Sequence, residues 1–527
     1  GYLAYHYEMA GILDKQMHFH IKTAQVAESL HANEEALWHL GRALEVSETL
    51  LSNGEMEEAT EEERIEIYRQ QFEILAKRRW ILMLMADVNA SIDDALRALA
   101  LTEGPLDEEP GLRVDAILMY VSSSTNTLIT QEEADKIYNY CEEALYLSRQ
   151  IGDKHRELET LVQITLIRTH TSHDNVYEPS MQALDLAREL GDVNMEFNIL
   201  LNYGYHLVAN DQTEEGMQFV NQALNLTDTV DDAISQINVL NVIGPQFERA
   251  GDYYSWLTEF VEVRLALSRK LGNRIAEADA LLHAGMIRGN YLGDYESGLK
   301  NLEESKRLLG STPSRLFALL RIAQCYVELN QHEKAQEALD EAQPLTQNIT
   351  LDLAQVGYKL VQIMLNNEQD DEERLKVALK LAHEVEELGK SEGISQQYRM
   401  AAASHASSVH RKMAVLLGNR AELSEEDQER RQHHLEESLA KSQQALALYE
   451  DFGYTNAAEI TGEWILYRMG QAMIANGQRT EALPFIKRAH DELMRKHDLI
   501  PEESPLRQTY LENIRHHRQI QASYRLL

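Results

Sequence analysis

Apolar residues recur at helical spacing along almost the whole chain, and the pattern is cut at regular intervals by one kind of stop. Runs such as LKVALKLAHEVEEL keep apolar side chains three and four residues apart, the spacing of one helix face, and no run of alternating β-branched residues predicts a strand. The stops are SRQIGD, ARELGD, LTDTVDD, SRKLGN, KRLLGS and VEELGK. They place Gly152, Gly191, Asp231, Gly272, Gly310 and Gly389 at steps of 39, 40, 41, 38 and 79 residues. The last step is double, and the missing stop falls near Asn348 in QPLTQNIT. A fixed period near 40 residues predicts a solenoid of helix pairs.

The repeats agree internally. Nine residues after the first five stops stand Leu161, Leu200, Leu240, Leu281 and Leu319, and thirteen residues after them Thr165, Gly204, Gly244, Gly285 and Ala323. A large apolar residue followed four positions later by a small one lets an antiparallel partner helix approach closely. Gly389-Lys390-Ser391 is the tripeptide that closes a nucleotide-binding phosphate loop. However, Glu384 occupies the position where such a loop needs its first glycine, and the preceding stretch has helical, not strand, periodicity. Gly389 is in register as a helix terminator, and GKS is accidental.

Composition sharpens this picture. The chain has 527 residues, only 9 prolines and no Pro/Gly/Ser-rich linker, so one extended architecture is as compatible with its length as several globules. Acidic residues outnumber basic ones by 36, which disfavours nucleic-acid backbones and anionic membranes and favours basic partners. Cys141 and Cys325 sit at apolar helical positions, as buried thiols of a reducing compartment do, and no signal peptide or membrane-spanning run is visible. A cytoplasmic protein is expected. The start GYLAYHYE, without Met and already helical in pattern, is expected of a fragment of a longer protein.

Helix pairs with this large-then-small signature, followed by steps such as EEALYLSRQ, MQALDLARE and EKAQEALDEA, resemble the tetratricopeptide repeat. Ala335 and Gly216 match the small residue of its second helix, whereas Trp256 and Ser297 depart from it, so irregular turns are expected there. The ends resemble a narrower family. Residues 4–46 carry His6, Ala10, Gly11, His31, Ala32, Asn33, Glu35, Ala36, Ala43 and Leu44 in the pattern found where the helical arm of STAND-class, maltose-activator-like signal-transducing ATPases enters the repeats; residues 470–520 are similar to their final repeat and closing helix. The resemblance implies a repeat sensor that restrains an upstream ATPase and effector and releases it on binding a signal. None of the switch motifs themselves is in this chain.

Candidate chemistry is sparse. The close histidine pairs His18/His20, His433/His434 and His516/His517 lack the i, i+4 spacing of helical metal ligands, so solvated or capping histidines and no metal are expected. No catalytic motif with structural context is present, so no catalytic residue and no cofactor is expected. Function in a solenoid sits on the concave wall lined by the first helix of each pair. Positions ten, eleven and fourteen residues after the stops give Gln163, Leu166, Asn202, Tyr205, Asn241, His283, Met286, Arg321 and Gln324 as groove candidates, with ordinary inter-helix packing as the alternative. Residues 53–80 run from acidic to basic, matching a helix dipole, and Pro105 and Pro110 mark a break. The charge-dense stretch 419–435 is expected as an insertion, with a solvated helix start as the alternative.

The sequence therefore predicts an all-α right-handed superhelix of tetratricopeptide-like repeats. Residues 1–110 are read as a helical block joining an ATPase arm to the repeats, 111–400 as the regular array, and 401–527 as C-terminal repeats with the charged insertion and a capping helix. The expected role is to bind a protein, peptide or small inducer in the groove and regulate an attached STAND ATPase, with no direct nucleic-acid or membrane contact. The alternatives are a freestanding adaptor bridging proteins, or a helical small-molecule sensor, which a closed, ligand-sized cavity would favour.

Overall fold

A computed structural model describes residues 2–52, 60–125, 131–171, 175–210, 212–226, 233–310, 314–347, 352–369, 371–390, 395–420 and 424–526. Among these residues the chain forms 26 α-helices and no β-strand, and most helices pack on the next in chain order. The architecture is an all-α solenoid of tetratricopeptide-like helix pairs.

The stops work through local chemistry. Gly152, Gly191 and Gly272 take φ of +69°, +67° and +62°, a region open to glycine at little steric cost. The two amides at each stop turn back to carbonyls of the last helical turn; Gly191 N donates to Arg188 O and Asp192 N to Ala187 O, which closes a Schellman motif. The following Asp153, Asp192 or Asn273 then caps the next helix by accepting from Arg156 N, Met195 N and Ala276 N. One Gly-Asp or Gly-Asn dipeptide thus ends one helix and starts another. Gly389 also follows a helix, Glu372–Leu388, but at φ −69°; glycine fits there because a Cβ would lie 2.5 Å from Arg399 Cγ. Lys390 reaches Glu387 at 2.6 Å. Ser391 and the expected stops Asp231 and Asn348 lie outside the described residues.

Leu161, Leu200, Leu281 and Leu319 are buried, and Leu240 is half-buried. The small positions admit neighbours as expected: a Cβ on Gly204 would meet Gly216 O at 2.8 Å, and one on Gly285 would meet Leu302 Cγ at 2.5 Å. Trp256 opens a π-helical segment, Trp256–Val261, and Ser297 lies in helix Tyr295–Leu309, which packs on a second π-helical segment, Ile287–Tyr291. A π-turn carries an extra residue, which absorbs the mismatch: Gly298, not Ser297, makes the close approach, since a Cβ on it would lie 2.7 Å from Gly289 N.

Three expectations change. The helix Glu61–Leu84 begins with a capping box between Thr60 and Glu63 and three first-turn glutamates, but runs on past its basic residues; Arg78 pairs with Asp94 and Arg79 bonds Ser122, so they serve packing and not the C-terminal dipole. The Pro105 to Pro110 turn interrupts the helices, with Pro110 at the first position of Pro110–Ser124, yet one hydrophobic core continues from Met17 to Ile167 across it. The charged stretch from 425 on is the start of a 27-residue helix, Glu425–Asp451, capped by Ser424, because its glutamates sit at the positive end of the helix dipole.

The ends of the chain return to its middle. Asn33 donates to Gly272 O and Glu34 pairs with Arg274, so the first repeat touches one 239 residues later. A separate core joins Tyr253, Trp256, Leu257, Met286 and Tyr291 of the middle repeats to Leu466, Leu493, Tyr510 and Ile520 of the final helices. The concave wall is therefore divided into an open N-terminal stretch and a stretch covered by the chain's own C-terminus.

Candidate functional site

On the N-terminal stretch, Gln163 and Leu166 of helix Lys154–Thr171 line a cleft of about 630 Å³. Its apolar surface comes from Trp80, Met83, Leu118, Met119 and Met195, contributed by three different helices, and Trp80 is 41% exposed. Flexible thioethers and an exposed indole suit a partner surface that adapts to apolar side chains. At its polar edge, Arg156 holds Asp115 through two 2.7 Å bonds. Burial, followed by the neighbouring Asp115 charge, raises the carboxyl of Glu159, and burial pushes the Arg79 guanidinium down to about 10.

The middle candidates have mixed fates. Asn202 and Tyr205, on helix Val193–Ala209, are exposed in the groove. Asn241 lies in helix Ala233–Ala250, but its side chain is outside the described ones. His283 is half-buried, with Nδ1 2.9 Å from Asp279 O. Met286 is buried in the core under the C-terminal helices, a packing position.

Arg321 and Gln324 come together beneath the segment that follows Asp451. Arg321 donates to Gln324 Oε1 at 2.8 Å and to Glu459 Oε1 at 2.9 Å, and Gln324 is 6% exposed. Both line an enclosed cavity of about 220 Å³, walled also by helices Gln397–Gly418, Gly462–Ala475 and Arg515–Tyr524. Sequence reasoning found two residues of this cavity by repeat register. It missed Arg411, Trp464 and Arg468, which belong to a part of the chain with no regular stops.

The cover is fastened by a buried charge network. Lys496, its side chain fully buried, pairs with Glu463 and donates to Asn456 Oδ1 at 2.6 Å, while Asn456 donates through its backbone and side-chain nitrogens to Arg249 O at 3.2 and 3.1 Å. Burial alone works to raise the Glu463 carboxyl, but Lys496 and then His517 outweigh it and hold it well below the usual carboxylate range. Glu463, His516 and His517 offer ligand atoms within 4.8 Å of one another. The carboxylate is already committed to an ammonium, which repels a cation, so the group reads as part of the fastening. Several histidines expected in solvent are buried: His20 lies 2.8 Å from His39 and is pushed down to about 4 by burial first, and His517 bonds Tyr510 O at 2.6 Å.

Among the described residues no helix is long and apolar enough to cross a membrane. A tetratricopeptide repeat model matches residues 317–343. Comparison with curated proteins gives no match. Among solved structures, yeast Tom70 aligns with 97% of this chain and 97% of its own at 13% identity and a TM-score of 0.35. The Cut9 and Hcn1 hetero-tetramer of APC/C aligns with 97% of this chain and 93% of its own, at 11% identity and a TM-score of 0.40. A human IFIT1 dimer with PPP-AAAA covers 90% of each chain at 14% identity and a TM-score of 0.40. The matched repeat and the observed helix pairs agree on a tetratricopeptide-type solenoid fold.

Proposed function

We propose that the chain is a non-catalytic sensor that docks a protein segment in its N-terminal cleft and passes that state to a STAND-type ATPase in the same polypeptide. The carrying observation is the contrast along one wall. The chain's own C-terminus covers the middle and C-terminal stretch, whereas the cleft around Trp80, Met83 and Leu166 keeps an exposed indole and half-buried thioethers accessible. A segment with apolar anchors flanked by basic residues fits it, because the partner would meet Asp115, Glu159 and a chain of net charge −36. The resemblance of residues 4–46 and 470–520 to STAND ATPases supports the coupling to a switch. Docking shifts that switch only by the difference in affinity between its two states.

The test is site-specific photo-crosslinking in native lysate with a photoreactive residue at position 80, compared with position 38 on a different exposed surface. A discrete protein adduct at 80 that Met83→Glu, at a half-buried position of the cleft, abolishes supports docking. Equal labelling at both positions refutes it. An adduct that maps to a nucleotide-binding segment of the same polypeptide supports the switch reading, and one that maps only to an unrelated protein favours a freestanding adaptor.

A further inference from the structure

The cavity beneath the C-terminal cover has a charge balance opposite to that of the chain. Five cations line it, against three carboxylates, Glu328, Glu368 and Glu459. Arg321 is answered by Glu459 and Arg515 by Glu368, and Lys412 donates to Asn367 O. Arg411 and Arg468 have no carboxylate within ion-pair distance among the described residues. Two positive charges therefore remain over in the wall of a small enclosed space, although the protein as a whole carries −36.

Arg468 is the more buried, at 5% exposure. Its Nη1 donates to Ser404 Oγ at 3.2 Å, its Nη2 lies 3.3 Å from His405 Nδ1, and its plane rests 4.4 Å over the Trp464 ring. Neither of these bonding partners is an anion. Burial, then the charge of Arg411, pushes the guanidinium down to about 9 against the opposing pull of Glu328, which makes no ion pair with it, and burial also lowers Arg411. His405 and His516 add no further positive charge, since burial holds both well below 6.5 and neutral. Buried like charges without a counterion are costly, and a fold keeps them where a bound group supplies the opposite charge.

A second observation points the same way. Buried polar atoms without a hydrogen-bond partner cluster in this lining: the nitrogens Arg468 Nε and His516 Nε2, the hydroxyl Thr461 Oγ1, and the acceptors Asn367 Oδ1, Asn290 Oδ1 and Glu328 Oε2, which suit the hydroxyls of an organic group and not its anionic end. Native proteins leave few such atoms unpaired, and a concentration of them around one cavity marks a polar ligand.

We infer that this cavity binds a small phosphomonoester, with Arg411 and Arg468 supplying the two charges that its dianion answers. A phosphate monoester carries about −1.5 to −2 at neutral pH and three strong acceptor oxygens, which matches the surplus and the fork geometry of guanidinium. The volume of about 220 Å³ lies under the roughly 300–1,000 Å³ usual for drug-sized ligands, so the ester has few carbons. The site joins helices Gln397–Gly418 and Gly462–Ala475 to the middle repeats, so its ligand tightens the C-terminal cover onto the groove. This inference stands independently of the docking proposed for the N-terminal cleft.

The experiment titrates the intact chain with inorganic phosphate and with glycerol 3-phosphate at ionic strength fixed with sodium chloride. It follows tryptophan emission, since Trp464 lies under Arg468, and the melting temperature. The expected result is a saturable emission change with a melting temperature that climbs as the logarithm of ligand concentration. Arg468→Met and Arg411→Gln each weaken binding at least about tenfold without lowering the ligand-free melting temperature, because each removes an unanswered cation. Arg307→Gln, in an exposed pair with Glu304, leaves binding unchanged. No response of the native chain beyond matched chloride overturns the inference, as does full retention of binding in both cavity variants. An equal response to succinate overturns the phosphomonoester class.

Discussion

Removing the buried ammonium of Lys496 is the sharpest perturbation of the C-terminal cover. Its side chain is 0% exposed and that of Glu463 1%, and its Cε and Cγ fill the space beside Gly251, whose φ is +74°. Lys496→Met keeps the aliphatic stem but takes the ammonium from Glu463 Oε2 and leaves Asn456 Oδ1 with Gly462 N as its donor. Stranding one partner of a buried pair costs about 3–5 kcal/mol, whereas replacing both by apolar groups is near neutral or stabilising. The double variant Lys496→Met/Glu463→Leu is therefore expected to recover most of the loss. A repeat array opens locally, so the assay is native-state hydrogen exchange of peptides from 462–524, read beside peptides from the N-terminal core. At about 1.4 kcal/mol per tenfold, Lys496→Met lowers protection in the final helices by roughly two to three and a half orders of magnitude. The N-terminal core stays unchanged. An effect of under about 0.5 kcal/mol in the single variant, or a double variant no better than the single, would show that the pair does not fasten the cover.

The same pair sets a pH dependence. The folded-state pKa of Glu463 is depressed, so its contribution is present above the ordinary carboxylate range and is lost as pH falls through the lower folded value. Protection of 462–524 should fall on acidification in the native chain, and the part due to this group should be absent in Glu463→Gln. Gly204→Ala, where a Cβ would lie 2.8 Å from Gly216 O, should destabilise by about 1–3 kcal/mol, measured as a urea midpoint shift of its own repeats. Arg321→Gln strands Glu459 and should speed chymotryptic cleavage after Tyr454, in the cover segment, by about tenfold or more, with cleavage elsewhere unchanged. Cys141 and Cys325 are buried thiols that desolvation pushes up to about 12, so a thiol reagent at pH 8 should label neither until denaturant is added.

Some of the groove was readable from the chain and some was not. Gln163, Leu166, Arg321 and Gln324 follow from counting along repeats, since a helix position fixes the face a side chain occupies within its own pair. Met286 has the same register as Leu166 and Gln324, yet it is core, because the final helices happen to lie on that part of the wall. The irregularities were visible as departures at Trp256 and Ser297; that Trp256 opens a π-helical turn and that Ser297 lies on the helix facing one was not, since the extra residue shows only when Gly298 is seen against Gly289.

The sequence by itself determined the helices, their boundaries and their pairing. Gly152-Asp153, Gly191-Asp192 and Gly272-Asn273 act through hydrogen bonds to residues at most five positions away, and Leu200 with Gly204 specifies a partner that follows directly in the chain. Only the tertiary structure decided how the array closes. Arg321 meets Glu459 across 138 residues and Arg495 meets Ala250 O across 245. Arg411 and Arg468 share a cavity only because the last helices return to the middle. The pitch that brings them together accumulates from small rotations at every repeat, the two π-turns included, and no short stretch of sequence encodes that sum.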